Sequence, residues 1–271
     1  MNDDQSSNDI EESAAPLVEH LIELRTRLIK SVLGFLLGMI LCFTVASKIF
    51  NFLANPIVKI LKDNGQSPDL IFTGLQQGFM VNIQISLFGG FILAFPYIGF
   101  QLWKFVAPGL YNNEKGAFLP FLIASPILFL CGASFAFYVV MPLAFDFFLG
   151  FQQVTSSEDS GALGASYLGT INEYLGLSMK FIIAFGLCFQ LPVLLTLMGK
   201  ANLVSSPGLA SVRKYAVVGI LLLAAIVTPP DVITQIILFV VVYSLYEISI
   251  FLVKIVEKKR EDEPQSESSD Y

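Results

Sequence analysis

Residues 70–103, LIFTGLQQGFMVNIQISLFGGFILAFPYIGFQLW, run on without a single Asp, Glu, Lys, Arg or His. As a helix rising 1.5 Å per residue this stretch is about 50 Å long, well beyond the roughly 30 Å of hydrocarbon in a bilayer. Three further uncharged runs occupy 31–47, 116–145 and 181–199, and a fifth, 215–253, is broken only by Asp231 and Glu247. Leu, Ile, Val and Phe fill much of each. A helix satisfies its own backbone polar groups, so it can cross lipid where an open strand cannot. The chain therefore reads as an all-α integral membrane protein, and most soluble-enzyme readings fall away.

Composition agrees with that reading. Hydrophobic residues make up 55% of the chain, aromatics 13% and charged residues only 14%, far from an ordinary soluble domain. The net charge of −6 misleads, because half of the 22 acids lie within residues 1–12 and 257–271. These polar ends set the boundaries: disordered acidic tails at 1–15 and 257–271 around a membrane domain at 16–256. No basic patch exists beyond the membrane-flanking positives, which excludes a nucleic-acid partner. Cys42, Cys131 and Cys188 sit inside apolar runs, without disulfide or metal-ligand spacing, and read as buried structural thiols. An acidic start and the lack of a small-residue cleavage site argue against a cleaved signal peptide.

The order of spans follows from the breakers. Pro16 and then Leu17, Leu21, Leu24 and Leu28 predict a short amphipathic helix ahead of span one, at about 29–49. Residues 51–62 predict a short interfacial helix, ended by Asn64-Gly65 and Ser67-Pro68. Span two is expected at 77–101 and span three at 117–141, with Pro142 kinking or ending the latter. Residues 152–170 form the longest loop, and span four covers 174–198. Span five has only 15 residues, Lys214 to Thr228, before Pro229-Pro230. That is roughly 22 Å of helix. Span six, from Asp231 to about Lys254, is apolar only as far as Glu247. Helices five and six are thus short, which predicts local thinning or tilting of the bilayer. With both termini cytoplasmic, twelve Lys and Arg lie inside and four outside (Lys48, Lys59, Lys62 and Lys180). This bias selects six spans with both ends in the cytoplasm.

Few residues within this frame can carry chemistry. In His20-Leu21-Ile22-Glu23-Leu24-Arg25-Thr26-Arg27-Leu28, Glu23 and Arg27 are spaced as an exposed i, i+4 pair, worth about 0.3–0.5 kcal/mol. Alternatively, Glu23 is a fixed carboxylate for a cationic partner. The connector from Trp103 to Lys115 carries aromatics, a Pro-Gly turn and Glu114 on the same side. Trp103 and Tyr111 fit a headgroup belt without further function. Two carboxylates beside apolar surface would also suit a ligand bearing arginines and then a hydrophobic stretch, since a guanidinium can bind a carboxylate bidentately and a lysine cannot.

Inside the spans, Gln190 precedes Pro192, and Glu247 follows Tyr243 by one turn. An ionisable group within lipid is costly and marks function by default, unless Glu247 lies close enough to the cytoplasmic end to reach water. Asp231 after Thr228-Pro229-Pro230 is placed to cap a helix. Enzyme motifs such as H-E-x-x-H, a P-loop or a dinucleotide glycine pattern are missing, and the single His20 argues against a histidine metal site.

Together, His20–Leu28, the A-P-G-L-Y-x-x-E pattern of 107–114, Phe185–Val193 and Thr228–Asp231 resemble the TatC family, the polytopic receptor subunit of the twin-arginine protein translocase. The resemblance extends over nearly all of residues 16–256. It implies a concave six-helix bundle in the bacterial cytoplasmic (inner) membrane that binds Arg-Arg signal peptides of folded cargo. No cofactor and no covalent catalysis are implied. Glu23 and Glu114 match the family acids implicated in reading the paired arginines, and Arg25, Phe105 and Pro108 match neighbouring motif positions. Pro56 matches a family position in the first outer loop. A wall from helix two to helix four would receive the signal's apolar part.

The implied partners are small single-span subunits of TatA and TatB type docking along spans four to six, membrane lipid, and further copies of the chain in a larger complex driven by the proton gradient. Many bacterial members carry Glu where this chain has Gln190. A neutral amide cannot carry a proton but still hydrogen-bonds in hydrocarbon, so Gln190 is expected to contact a partner helix. The rival class is an ion-coupled small-solute transporter using Glu173, Lys180, Gln190 and Glu247 at a midplane site. An intramembrane enzyme would need paired catalytic groups facing one cavity.

Overall fold

The computed structural model describes residues 3–65, 67, 69–106, 119–151, 169–229 and 231–262. Helix α1 spans Asp3–Thr44, α2 Ala46–Asp63, α3 Gln77–Val106 and α4 Leu119–Phe135. A π-helical turn, Ala136–Val140, leads into α5, Met141–Leu149. Then come α6 (Ile171–Cys188), α7 (Leu191–Lys200), α8 (Ser206–Ser211), α9 (Arg213–Val227) and α10 (Val232–Asp262). Among the described residues the one β-type contact outside the helices is a parallel bridge between Ile71 and Thr170.

Several boundaries differ from those expected. The leading amphipathic helix and span one are a single helix, because no Gly or Pro interrupts Leu17–Leu33. Helix α1 begins at Asp3 and α10 ends at Asp262, so helix extends into both segments read as tails. Pro142 does not end span three. It lacks an N–H and its ring crowds the carbonyl one turn back; the chain answers by widening, with Met141 N–H donating to the Ala136 carbonyl in the π turn. Helix then continues to Leu149. Span four is two helices end to end, parted at Phe189-Gln190 just before Pro192 removes the donor to the Cys188 carbonyl. Cys131 is exposed, while Cys42 and Cys188 are buried as expected of apolar-run thiols.

Among the described residues five stretches are long and apolar enough to cross a membrane: Val18–Thr44, Gln77–Phe105, Pro120–Leu149, Ile171–Lys200 and Val232–Lys259. Helix α9, with 15 residues, is shorter than these. The expectation that the last helix is also short is corrected, since α10 runs for 31 residues straight through Glu247.

Two compact units emerge, Met1–Ala46 with Asn82–Leu122, and Ser47–Val81 with Ile123–Tyr271. In the first, α1 and α3 pack antiparallel. Gly38 meets Gly90, Gly34 lies under the Tyr97 ring, Arg27 faces Gln101 and His20 faces Phe105. The crossing depends on bare backbone: a Cβ on Gly38 would sit 2.9 Å from the Gly90 carbonyl oxygen, and one on Gly90 only 2.6 Å from Met39 N. Small residues of this kind let membrane helices approach when lipid offers no hydrophobic drive.

The second unit has its own core. Leu53, Ala54, Ile57 and Leu61 form the buried stripe of α2 at helical spacing. Buried Tyr174 donates its hydroxyl to the Leu53 carbonyl, tying α6 to α2. Gly186 leaves room for the Phe129 ring, and Gly132 for the Phe185 carbonyl and the Phe189 ring. Phe129, Phe181 and Phe185 are almost wholly buried.

Candidate functional site

Glu23, Arg27 and Gln101 form a polar cluster where the apolar face of α1 begins. Both Arg27 Nε (3.3 Å) and Nη2 (3.0 Å) donate to Glu23 Oε1. Arg27 Nη1 donates to Gln101 Oε1 at 3.4 Å. Gln101 is buried, while the Arg27 and Glu23 side chains are 25% and 30% exposed. Solvent screens a pair this open, so its worth in stability stays at a few tenths of a kcal/mol. Its chemical meaning lies elsewhere: Glu23 already accepts a guanidinium, and both donors fall on one of its two oxygens. One turn earlier on α1, His20 stacks on Phe105 with centroids 4.3 Å apart and planes 17° from parallel. The two helices therefore bring Glu23 and Phe105, 82 positions apart in sequence, into one cluster. Arg25 is exposed on α1. Pro108 and Glu114 lie outside the described residues.

Gln190 occupies the break between α6 and α7. Ser125 Oγ donates to Gln190 Oε1 at 2.7 Å, and Gln190 Nε2 donates to the Ser125 carbonyl at 3.0 Å. Its amide thus closes a two-bond ring with α4 of its own chain. A helix break needs such a partner where water cannot reach the freed groups. Gln190→Leu is expected to cost about 1–2 kcal/mol by removing both bonds. Thermal unfolding in detergent measures it, and Ser125→Ala in the same background should add little further loss.

Glu247 pairs with Arg213, Nε to Oε1 and Nη2 to Oε2, both at 2.8 Å, and accepts the Tyr243 hydroxyl at 2.9 Å. Arg213 opens α9, whose 15 residues rise about 22 Å. Glu247 stands 15 positions from Val232, hence level with that end of α9 and midway along the 31 residues of α10. The fork geometry is the bidentate form in which arginine binds a carboxylate best. Asp231, 7% exposed, accepts Thr234 N–H at 2.7 Å and the Thr234 hydroxyl, which makes it the N-cap of α10. Pro56 sits inside α2, where it removes the usual donor to the Phe52 carbonyl. Gln190 and Glu247 bond Ser125 and Arg213 instead of one another, and among the described residues no hydrogen bond or ion pair joins either to Glu173 or Lys180, which gives the solute-transporter reading no support.

The chain matches known proteins in sequence and fold. The family model described as Sec-independent protein translocase protein (TatC) matches residues 19–240. The chain belongs to the TatC family. A TatC of Magnetococcus marinus is 46% identical over 260 residues, covering 96% of this chain and 92% of that protein. A TatC of Aquifex aeolicus is 40% identical over 249 residues, covering 91% and 98%. A crystal structure of the twin-arginine translocase receptor TatC superposes with a TM-score of 0.75 at 40% identity, over 88% of this chain and 99% of that one.

As a TatC protein the chain is a multi-pass membrane component of a Sec-independent protein translocase. Motif reading alone missed the TatC residues that hold the polar groups: Gln101, Ser125 and Arg213. Each partner lies 34 to 74 positions away from the group it holds. Only the polarity of Gln101 within an uncharged run hinted at one of them.

Proposed function

We propose that this chain is the receptor and core subunit of a twin-arginine translocase in a bacterial cytoplasmic membrane. Six spans, α9 being the short fifth, place both termini in the cytoplasm. Glu23 and Glu114 take the guanidinium groups of an Arg-Arg signal peptide, and Phe105 supplies apolar surface beside them. Arg25 and Pro108 contribute to signal-peptide binding. The signal's hydrophobic stretch then enters between helices. Single-span partner subunits pack against the later spans, with Gln190 free to exchange its Ser125 bonds for a partner's polar group. Further copies complete the complex, and the proton gradient drives export.

The observation that carries this reading is the α1–α3 cluster, in which Glu23 accepts an arginine one turn along α1 from the His20–Phe105 stack. A carboxylate held by one guanidinium in cis has the geometry to hold another in trans, and arginine outcompetes lysine there because of its fork. The test is complementation of a bacterium lacking its own TatC protein. Export of a folded reporter is expected with an Arg-Arg signal, not with Lys-Lys, and is expected to stop when the proton gradient is collapsed. Export that ignores the arginine pair would remove the receptor role.

A further inference from the structure

Along α1, beyond the Glu23 cluster, an open groove of about 480 Å³ runs beside the α3 contact. Gly34, Gly38 and Ala94 form its floor. Leu37 and Leu93, 61% and 57% exposed, are its walls. Its length from Lys30 to Leu41 is roughly 16 Å at 1.5 Å per residue, which matches half of a ~30 Å hydrocarbon layer, that is, one leaflet. A groove of this length and volume has room for a single alkyl chain.

The ends of the groove differ. Lys30 is the last charge before the uncharged run 31–47, so it stands at the headgroup level. Tyr97 borders the groove as well. Among the described residues neither the Lys30 ammonium nor the Tyr97 hydroxyl has a hydrogen-bond or ion-pair partner. A cation at headgroup depth, with Tyr97 over Gly34 one turn further along an apolar channel one leaflet long, is complementary to a phosphate carrying an acyl chain. We infer that this groove holds one anionic phospholipid of the leaflet on the Lys30 side, with its phosphate on Lys30 and one chain lying over Gly34 and Gly38. The lipid then seals the α1–α3 seam, where glycines leave the two helices without side chains to cover their contact. This inference rests on the membrane-spanning character of α1 and α3, and not on signal recognition.

Native mass spectrometry of the full chain in detergent tests it, with phosphatidylglycerol and phosphatidylcholine of identical chains as probes. Wild type is expected to retain one lipid, with about a five-fold preference for phosphatidylglycerol, the scale of one lysine near an anionic surface. Lys30→Gln should abolish the preference while chain binding persists. Leu37→Trp, which places an indole in the channel at an exposed position, should abolish retention altogether. Circular dichroism and size exclusion establish that both variants are folded. Equal retention of the two lipids by wild type, or unchanged retention in Leu37→Trp, overturns the inference. So does loss of the lipid when an Arg-Arg signal peptide is added, because the groove would then belong to the signal's apolar segment.

Discussion

Glu23→Gln is expected to weaken binding of an Arg-Arg signal peptide roughly ten- to hundredfold while leaving the melting temperature nearly unchanged. The first figure follows from the value of hydrogen bonds to charged groups, about 1.5–3 kcal/mol, at 1.4 kcal/mol per factor of ten. The second follows from the cost of losing a partly exposed i, i+4 pair, about 0.3–0.5 kcal/mol. Gln keeps the length and one acceptor of Glu23 but not the second charged oxygen that a guanidinium fork requires. Arg27 would still reach Gln101. Titration of a labelled signal peptide against the purified protein, beside a melting curve, separates the two roles. A variant that melts early yet binds normally would make Glu23 a structural acid.

Gly90→Ala is expected to produce the largest loss of fold, roughly 1–3 kcal/mol, through overpacking that no side chain can relieve. The added methyl would fall 2.6 Å from Met39 N and 2.7 Å from Met39 Cα. Both are backbone atoms of a helix, so α1 and α3 must part. The Arg27–Gln101 and His20–Phe105 contacts lie along that same seam, and signal binding should fall with stability. Gly176→Ala is the matched control, because a Cβ there meets nothing within 4 Å and Ala is the better helix former. Unfolding in detergent should separate the two variants clearly. Equal melting of both would mean that the seam is looser than its geometry implies.

Five long apolar helices were legible because lipid imposes a simple rule on composition: a run without charge and about 20 residues long must be a helix. Sequence alone could not show how proline is accommodated. Pro142 looks like a terminator, and only the π turn at Ala136–Val140 reveals that the helix passes through it. Pro192 reads the same way, and there the chain does break, with Gln190 paired to Ser125 beside the break. Local spacing found Glu23 with Arg27, because an i, i+4 pair is written in the sequence. Arg213 with Glu247 and His20 with Phe105 join different helices, and such pairs depend on helix registry that hydropathy does not encode. Length misled at α10, since a charge at Glu247 neutralised by a neighbouring helix does not end a helix.

Site-specific photocrosslinking in membranes, from residues 23 and 114 to a signal peptide, tests the central claim most directly. The peptide is supplied with Arg-Arg or with Lys-Lys and is otherwise identical. The receptor account predicts crosslinks from both positions to the Arg-Arg peptide and their loss with Lys-Lys. Equal crosslinking of the two peptides, or none from a folded protein, would contradict it.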